Sequence, residues 1–397
     1  MLTNRQLFFQ HIALPSQKPL ALEIDRAEGI YMYDPNGKRY IDLVSGVSVN
    51  NIGHCNPKVK EAIRTQINKY MHLMVYGEYI QNPQVKLAEK LSSVLPESLS
   101  STYFVNSGSE AIEGALKLAK RYTNRTEIIA FKNAYHGGTH GALSVLGNES
   151  MKYAFRPLLP DIKHLDFNDF IQIDQITTKT ACVLIEPIQA EAGIILPEKG
   201  YLQAIRKRCN ETNTLLTYDE IQMGFSRTSK LFCFELEEVI PDILCLAKGM
   251  GGGMPIGAFI SSKEIMNTLA FNPVLGHITT FGGHPVCCAA ALANLEVLLE
   301  DNLSAQAEAN GKLFFDILSN QKAIKEIRRA GLMLAIDFND AELNNKIIDL
   351  LLEEGLIVDR FLFHTTSFRI APPLIITEDE VKTISEIIIN CIQKANA

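Results

Sequence analysis

The chain of 397 residues has no tryptophan, which decides nothing, and no internal repeat or low-complexity linker, which leaves no obvious domain boundary. It has no excess of basic residues either: 38 Lys and Arg against 45 Asp and Glu leave a net charge of -7. A nucleic-acid partner is therefore not expected. The eight cysteines form no CxxC pair and no zinc-finger spacing. Cys287 and Cys288 are neighbours, and the others lie in apolar stretches such as ACVLIEP and DILCLA. They read as buried thiols in a reducing cytoplasm, with no metal role. The opening residues lack a basic region followed by an apolar one, so no signal peptide is evident. No apolar run reaches the length of a membrane span. The expectation is a cytoplasmic protein.

With 47% apolar and 21% charged residues, the composition is that of an ordinary globular protein, long enough for two folding units. The alternation in GIYMYDPNGKRYIDL around Pro35-Asn36-Gly37 predicts an early hairpin. PKVKEAIRTQINKYMH has helical spacing behind Pro57. After it come short apolar runs, TYFVN, EIIAF, ACVLIEPI, TLLTYDEI, DILCLA and GAFISS, separated by helix-like segments. Such runs suggest strands covered on both faces, in an α/β domain with a mostly parallel sheet. From about residue 291 a long helical stretch leads into GLMLAIDF and SFRIAPPLIIT, interleaved with two further helical segments. The expected organisation is an N-terminal segment, 1–57, belonging to a smaller unit; a large domain, 58–290; and a smaller α+β domain, 291–397.

Ligands in parallel sheets collect at the carboxyl ends of strands, and that is where the chemically useful residues fall. In YFVNSGSEAIEG a strand gives way to a helix at Ser107-Gly108-Ser109-Glu110. Ser107 and Glu110 fit a capping box, and the helix N-terminus with its hydroxyls suits a phosphate. A plain cap would be the first reading of this stretch taken alone. Asp219 ends TLLTYD, Glu186 ends ACVLIE, and Lys248 ends DILCLAK. A lysine ending a buried strand is costly unless its ammonium is paired, exposed or able to lose its proton. Pyridoxal 5'-phosphate accounts for the set, since it needs a phosphate cradle, an amine, a carboxylate at its pyridine nitrogen and an aromatic face. Lys248 supplies the amine, Asp219 the carboxylate, Ser107, Gly108 and Ser109 the cradle, and Tyr135 the face. Glu186 is a third group on the same edge. The glycines after Lys248 are expected to let the chain turn beside the cofactor.

NSGSEA, AYHG, EPIQAEAG, DEIQMGFSR, LAKGMGGGMPIGA and TTFGGHP run in the order found in class III pyridoxal-phosphate-dependent aminotransferases, and the chain resembles that family over nearly its whole length. The resemblance implies a fold-type I architecture, with a mostly parallel seven-stranded sheet in the large domain, and a homodimer with shared active sites. It implies that Lys248 is the Schiff-base lysine, that Asp219 partners the pyridine nitrogen and that Tyr135 stacks on the ring. It further implies that Gln222 lies near the cofactor's phenolic oxygen and that Thr280 reaches the neighbouring subunit's phosphate. Arg369, in FRIAPPL, would bind a substrate carboxylate, and Glu191 would pair with it when none is present. The expected reaction moves an amino group from an amine or ω-amino acid to a 2-oxo acid such as 2-oxoglutarate or pyruvate.

Two positions depart from the family pattern. Gly138 follows the HG of AYHG, where the ornithine, acetylornithine and 4-aminobutyrate enzymes usually carry an arginine that holds a distal carboxylate. Val47 stands where ornithine enzymes have tyrosine. His140 or Arg360 are candidate substitutes for the missing cation. A 4-aminobutyrate-like or acetylornithine-like donor is favoured, with β-amino acids, lysine and simple amines left open by Gly138. The alternatives are a pyridoxal-phosphate aminomutase or epimerase and, more distantly, an oxidoreductase using GMGGGM as a dinucleotide loop.

Overall fold

The structure, a computed structural model, describes residues 2–396. Its centre is a seven-stranded sheet in the order β4-β10-β9-β8-β7-β5-β6. The strands are Ser101–Val105 (β4), Glu127–Phe131 (β5), Ile162–Leu165 (β6), Thr180–Ile185 (β7), Leu215–Asp219 (β8), Ile243–Leu246 (β9) and Gly257–Ser261 (β10). Every residue of β7, β8 and β9 is buried, which is why these strands read as unbroken apolar runs. The neighbours from β9 through β8, β7 and β5 to β6 are parallel, whereas β10 is antiparallel to both β4 and β9. The expected mostly parallel α/β sheet is present. The edge strand β6, IKHL, was not foreseen, because Lys163 and His164 interrupt its apolar pattern.

The early hairpin also forms. Tyr31–Tyr33 (β2) pairs antiparallel with Arg39–Asp42 (β3), and Asp34 Oδ1 accepts from the N–H groups of Asn36 and Lys38 across the turn. Arg26–Glu28 (β1) extends this meander on one side. On the other, Leu356–Ile357 (β13) joins β3 in parallel. A third sheet, β11-β12-β15-β14, is built from Glu326–Ala330 (β11), Met333–Asp337 (β12), Asp359–Arg360 (β14) and Ser367–Ile370 (β15). The helical stretch expected from residue 291 is two helices, Pro285–Glu300 and Leu303–Leu318. They are broken at Asn302, whose φ of 47° is left-handed. The first of them runs through residue 290 without interruption and packs on the Pro57–Ile67 and Asn82–Val94 helices.

After β3 the chain makes a turn invisible in the sequence. Ser45, Gly46, Val47 and Ser48 have φ of 54°, 60°, 64° and 60°, four successive residues in the left-handed region. Each of the three non-glycine residues pays roughly 1–2 kcal/mol for that conformation. Side-chain bonds hold it. Asp42 Oδ1 accepts from the N–H groups of Val44 and Ser45, both at 2.8 Å, and its other oxygen meets His54 Nε2 at 2.8 Å. Ser45 Oγ donates to the Ala371 carbonyl at 2.7 Å, and Ala371 N–H returns a bond to Leu43.

Candidate active site

Because β5, β7, β8 and β9 run the same way, the loops after them open on one edge of the sheet. With the start of the Gly108–Thr123 helix they enclose a cavity of about 420 Å³ lined by Ser107, Gly108, Ser109, Tyr135, Glu186, Asp219, Gln222 and Lys248. Eight of the residues expected from the sequence are therefore brought together. The volume falls within the range of roughly 300–1,000 Å³ common for small-molecule sites.

The phosphate cradle differs from the expected capping box. Ser107 Oγ accepts from Glu110 N–H at 3.2 Å, but the Glu110 carboxylate reaches back one residue too far, to the N–H and Nδ2 of Asn106 at 2.8 and 2.9 Å. The box is half made, and the N–H of Ser107 is left out of it along with the first helical donors. A Cβ at Gly108 would stand 2.8 Å from the Ile221 side chain, so a larger residue there would push on the loop after Asp219.

Glu186 is buried and accepts from the N–H groups of Tyr135 and Ala190, both at 3.2 Å. Burial, reinforced by the charge of Asp219, pushes its carboxyl well above the usual range. It acts as an anchor for Tyr135, whose hydroxyl is also pushed up by burial and by Glu191. Asp219 accepts from Ile221 N–H at 3.0 Å through Oδ1, and its Oδ2 lies 2.7 Å from His136 Nδ1. His136 was not assigned a role from the sequence, although it sits in the AYHG motif. It is buried, and its Nε2 has no partner. The bond to Asp219 fixes the ring and selects Nδ1 as the donor.

Lys248 Nζ donates to Gln222 Oε1 at 3.1 Å, while Gln222 Nε2 is buried without a partner. Burial lowers the pKa of the Lys248 amine; Glu191 opposes the shift and Arg369 adds to it. The lysine is therefore biased toward the neutral, nucleophilic form. Arg369 and Glu191 do not line this cavity, but their charges bear on the amine. They form a buried pair at 2.7 Å, and Glu191 Oε2 also accepts from Leu362 N–H at 3.1 Å. The Arg369 guanidinium lies over the Phe361 ring at 4.6 Å, and its Nε and Nη1 have no partner. Thr280 is exposed and lies outside the cavity. So are both candidate replacements for the missing arginine. His140 is exposed, and Arg360 Nε donates to Asn345 on the Ala341–Glu353 helix at 2.8 Å. Among the described residues, no group of three or more His, Cys, Asp and Glu could hold a metal, and no helix is long and apolar enough to cross a membrane.

A neutralisable buried amine, a carboxylate at a strand end, a helix N-terminus and unpartnered polar nitrogens on His136 and Gln222 fit a pyridoxal-phosphate enzyme. Comparison with known proteins narrows the class. Residues 12–392 match the family described as Aminotransferase class-III, and the chain belongs to that family. It is 40% identical to acetylornithine aminotransferase of Methanopyrus kandleri over 91% of this chain and 92% of that one. Among solved structures it is similar to a transaminase from the marine bacterium Virgibacillus, with TM-score 0.92 and 30% identity over 98% of each chain. It is also similar to the ornithine aminotransferase of Toxoplasma gondii, with TM-score 0.91 and 29% identity, covering 99% of this chain and 95% of that one. The protein is thus a fold-type I, pyridoxal-phosphate-dependent transaminase whose substrates are small amino donors and 2-oxo acids. The relatives named are all transaminases, which favours transamination over an aminomutase or epimerase.

Proposed function

We propose that this transaminase takes the terminal amino group of an ω-amino acid, acetylornithine-like or 4-aminobutyrate-like, and passes it to a 2-oxo acid such as 2-oxoglutarate or pyruvate. The observation that carries this reading is the buried Arg369–Glu191 pair, which leaves two guanidinium nitrogens unpartnered. A 2-oxo acid can place its carboxylate on Arg369 in two-pronged fashion, displacing Glu191; a donor whose reacting end lacks a carboxylate leaves the pair intact. The acetylornithine aminotransferase relative supports the same donor class.

Bound pyridoxal phosphate supplies the electron sink that makes a proton on the substrate carbon removable. The rest is assigned to the chain's own residues. Lys248 would hold the cofactor by its amine, and the same nitrogen, biased toward the neutral form by burial, would be the group that moves a proton at the substrate carbon. Asp219, oriented by His136, keeps the ring nitrogen protonated. Ser107, Gly108 and Ser109 bind the phosphate, Tyr135 covers one ring face, Gln222 faces the phenolic oxygen and Glu186 anchors Tyr135.

Gly138 decides how the far end of the donor is held. It is exposed, and a Cβ there would meet nothing within 4 Å, so a longer side chain at this position has room to extend. Donors are to be added one at a time to the cofactor-loaded enzyme without an acceptor while its visible absorbance is followed. Terminal amines of ω-amino acids should bleach the band, and a 2-oxo acid should restore it. In Gly138→Arg, donors with a distal carboxylate should gain about tenfold in kcat/KM, the equivalent of one charge-assisted hydrogen bond, while simple amines should not. Bleaching by simple amines alone, or an equal change for every donor, overturns the assignment.

The homodimer is proposed on the exposed apolar residues around Thr280. Val274 is 72% exposed, Ile278 50% and Phe281 54%. An unburied apolar set of this kind marks an interface. Thr280, carried at its edge, would serve the partner's phosphate. Sedimentation at micromolar concentration should give twice the chain mass; a single-chain mass rejects the shared-site arrangement.

A further inference from the structure

Arg227 is fully buried, and among the described residues it forms no ion pair with a carboxylate. Burial lowers its pKa to about 9. A buried charge is expensive; the nearby Asp42 carboxylate offsets part of the cost, and hydrogen bonds to the two terminal nitrogens offset more, while Nε has no partner. Three acceptors from distant parts of the chain meet it: the carbonyls of Leu332 and Pro372 at 3.0 and 2.7 Å, and Asn51 Oδ1 at 2.7 Å. Asn51 is itself fully buried. Its Nδ2 donates to the Phe225 carbonyl at 2.9 Å, and its own carbonyl accepts from Leu374 N–H at 2.7 Å.

The Asn51 amide also occupies the space beside the residue that follows Lys248. A Cβ at Gly249 would stand 2.6 Å from Asn51 Nδ2. At Gly249 the missing side chain makes room for the Asn51 amide. On the other side of this loop Asn294 Nδ2 donates to the carbonyls of Gly249 and Met250 at 2.8 and 3.2 Å. The two asparagines thus meet the backbone that follows Lys248, and Lys248 itself has a left-handed φ of 45°.

We propose that Asn51 and Arg227 are positioning residues, a buried hub that fixes Lys248 and Gln222 relative to Arg369. The hub touches four segments at once: the turn after β8, which carries Gln222; the loop after β9, which carries Lys248; Leu332 between β11 and β12; and residues 372–374, which follow Arg369 on β15. The left-handed turn at residues 45–48 delivers Asn51 to this point, and Ser45 ties that turn to Ala371. The inference rests on the reading of Lys248 as the cofactor-bearing lysine. Its chemical consequence is distance control, because a misplacement of about 1 Å between reacting groups costs on the order of 10²-fold in rate.

The test is a double-substitution cycle on the cofactor-loaded enzyme with Asn51→Ala, Gly249→Ala and the two combined. In Gly249→Ala the new methyl group collides with an amide locked by its own hydrogen bonds. The donor half-reaction should slow by about 10²-fold, kcat should fall more than KM rises, and the pH midpoint of the cofactor's visible band should move. With Asn51→Ala alone a smaller loss is expected. In the combined variant the nearest obstacle is Phe225 Cβ at 3.3 Å, so rate and band midpoint should recover toward the wild-type values. If Gly249→Ala does not fold, recovery of a folded, cofactor-binding protein in the combined variant counts as the same rescue. Wild-type rates in both single variants, or a combined loss equal to the product of the single losses, overturn the proposal. Lys248→Ala separates the two failures. If that variant keeps the wild-type band, the reading of Lys248 is wrong. If it loses the band while the cycle shows no coupling, only the hub is wrong.

Discussion

Lys248→Ala should lose at least about 10⁴-fold in transamination rate, the upper end of what a positioned acid–base group contributes. The effect is large because two duties fall on one nitrogen. On the proposed assignment the amine would hold the cofactor and would also be the base for the proton on the substrate carbon. Gln222 cannot take over the second duty, since an amide has no useful basicity. Cofactor affinity should fall less than the rate, because the proposed phosphate cradle at 107–109 belongs to a different element and is untouched. Loss of the lysine-dependent visible band, with phosphate-borne binding retained in equilibrium dialysis, is the expected signature. Turnover within tenfold of wild type overturns the assignment.

The same position makes a second, independent statement about stability. The folded pKa of Lys248 lies below its ordinary value because of burial. Its contribution is therefore present at pH above the unfolded pKa and is lost as pH falls through the folded one. The cofactor-free wild type accordingly carries a penalty at neutral pH that the alanine variant does not. The stability gap between them should narrow as pH rises through the window, by no more than about 1.4 kcal/mol per pH unit for one proton.

What could be read from the chain beforehand follows from how each residue is constrained. Strands buried on both faces, such as ACVLI and DILCL, announce themselves because nothing polar is tolerated in them. The groups at their carboxyl ends, Glu186, Asp219 and Lys248, stand out against that background. The edge strand Ile162–Leu165 has one neighbour and an open side, admits Lys163, and loses its signature. Asn302 breaks a helix that looked continuous by adopting a left-handed conformation, which asparagine tolerates but does not require. His136 was legible as a residue but not as a role, since its meaning lies in a 2.7 Å contact with a carboxylate 83 positions away. The Asn51–Arg227 hub is further still from the sequence. Asn51, Phe225, Gly249 and Pro372 meet only because three sheets bring their ends together, and no local spacing records that.

The contact between Asp219 and His136 leads to the second large expected effect. Asp219→Asn preserves the size of the side chain and, through its oxygen, the bond from Ile221 N–H. It removes the negative charge that, on the proposed assignment, would hold a proton on the ring nitrogen and so support the electron sink. Its amide can no longer accept freely from His136 Nδ1, so the imidazole loses its orientation as well. Removing one preorganised electrostatic partner of a transition state costs about 10²–10³-fold, and the donor half-reaction should slow by at least that much. The deficit should lie in the rate of the half-reaction at saturating donor, with cofactor binding retained through the helix N-terminus. A purely structural role for Asp219 predicts something else: loss of the cofactor or of folding, with the remaining loaded enzyme reacting at the wild-type rate. Single-turnover kinetics on the loaded fraction distinguish these outcomes. A half-reaction within tenfold of wild type would mean that the charge at the end of β8 serves the His136 loop and not the ring.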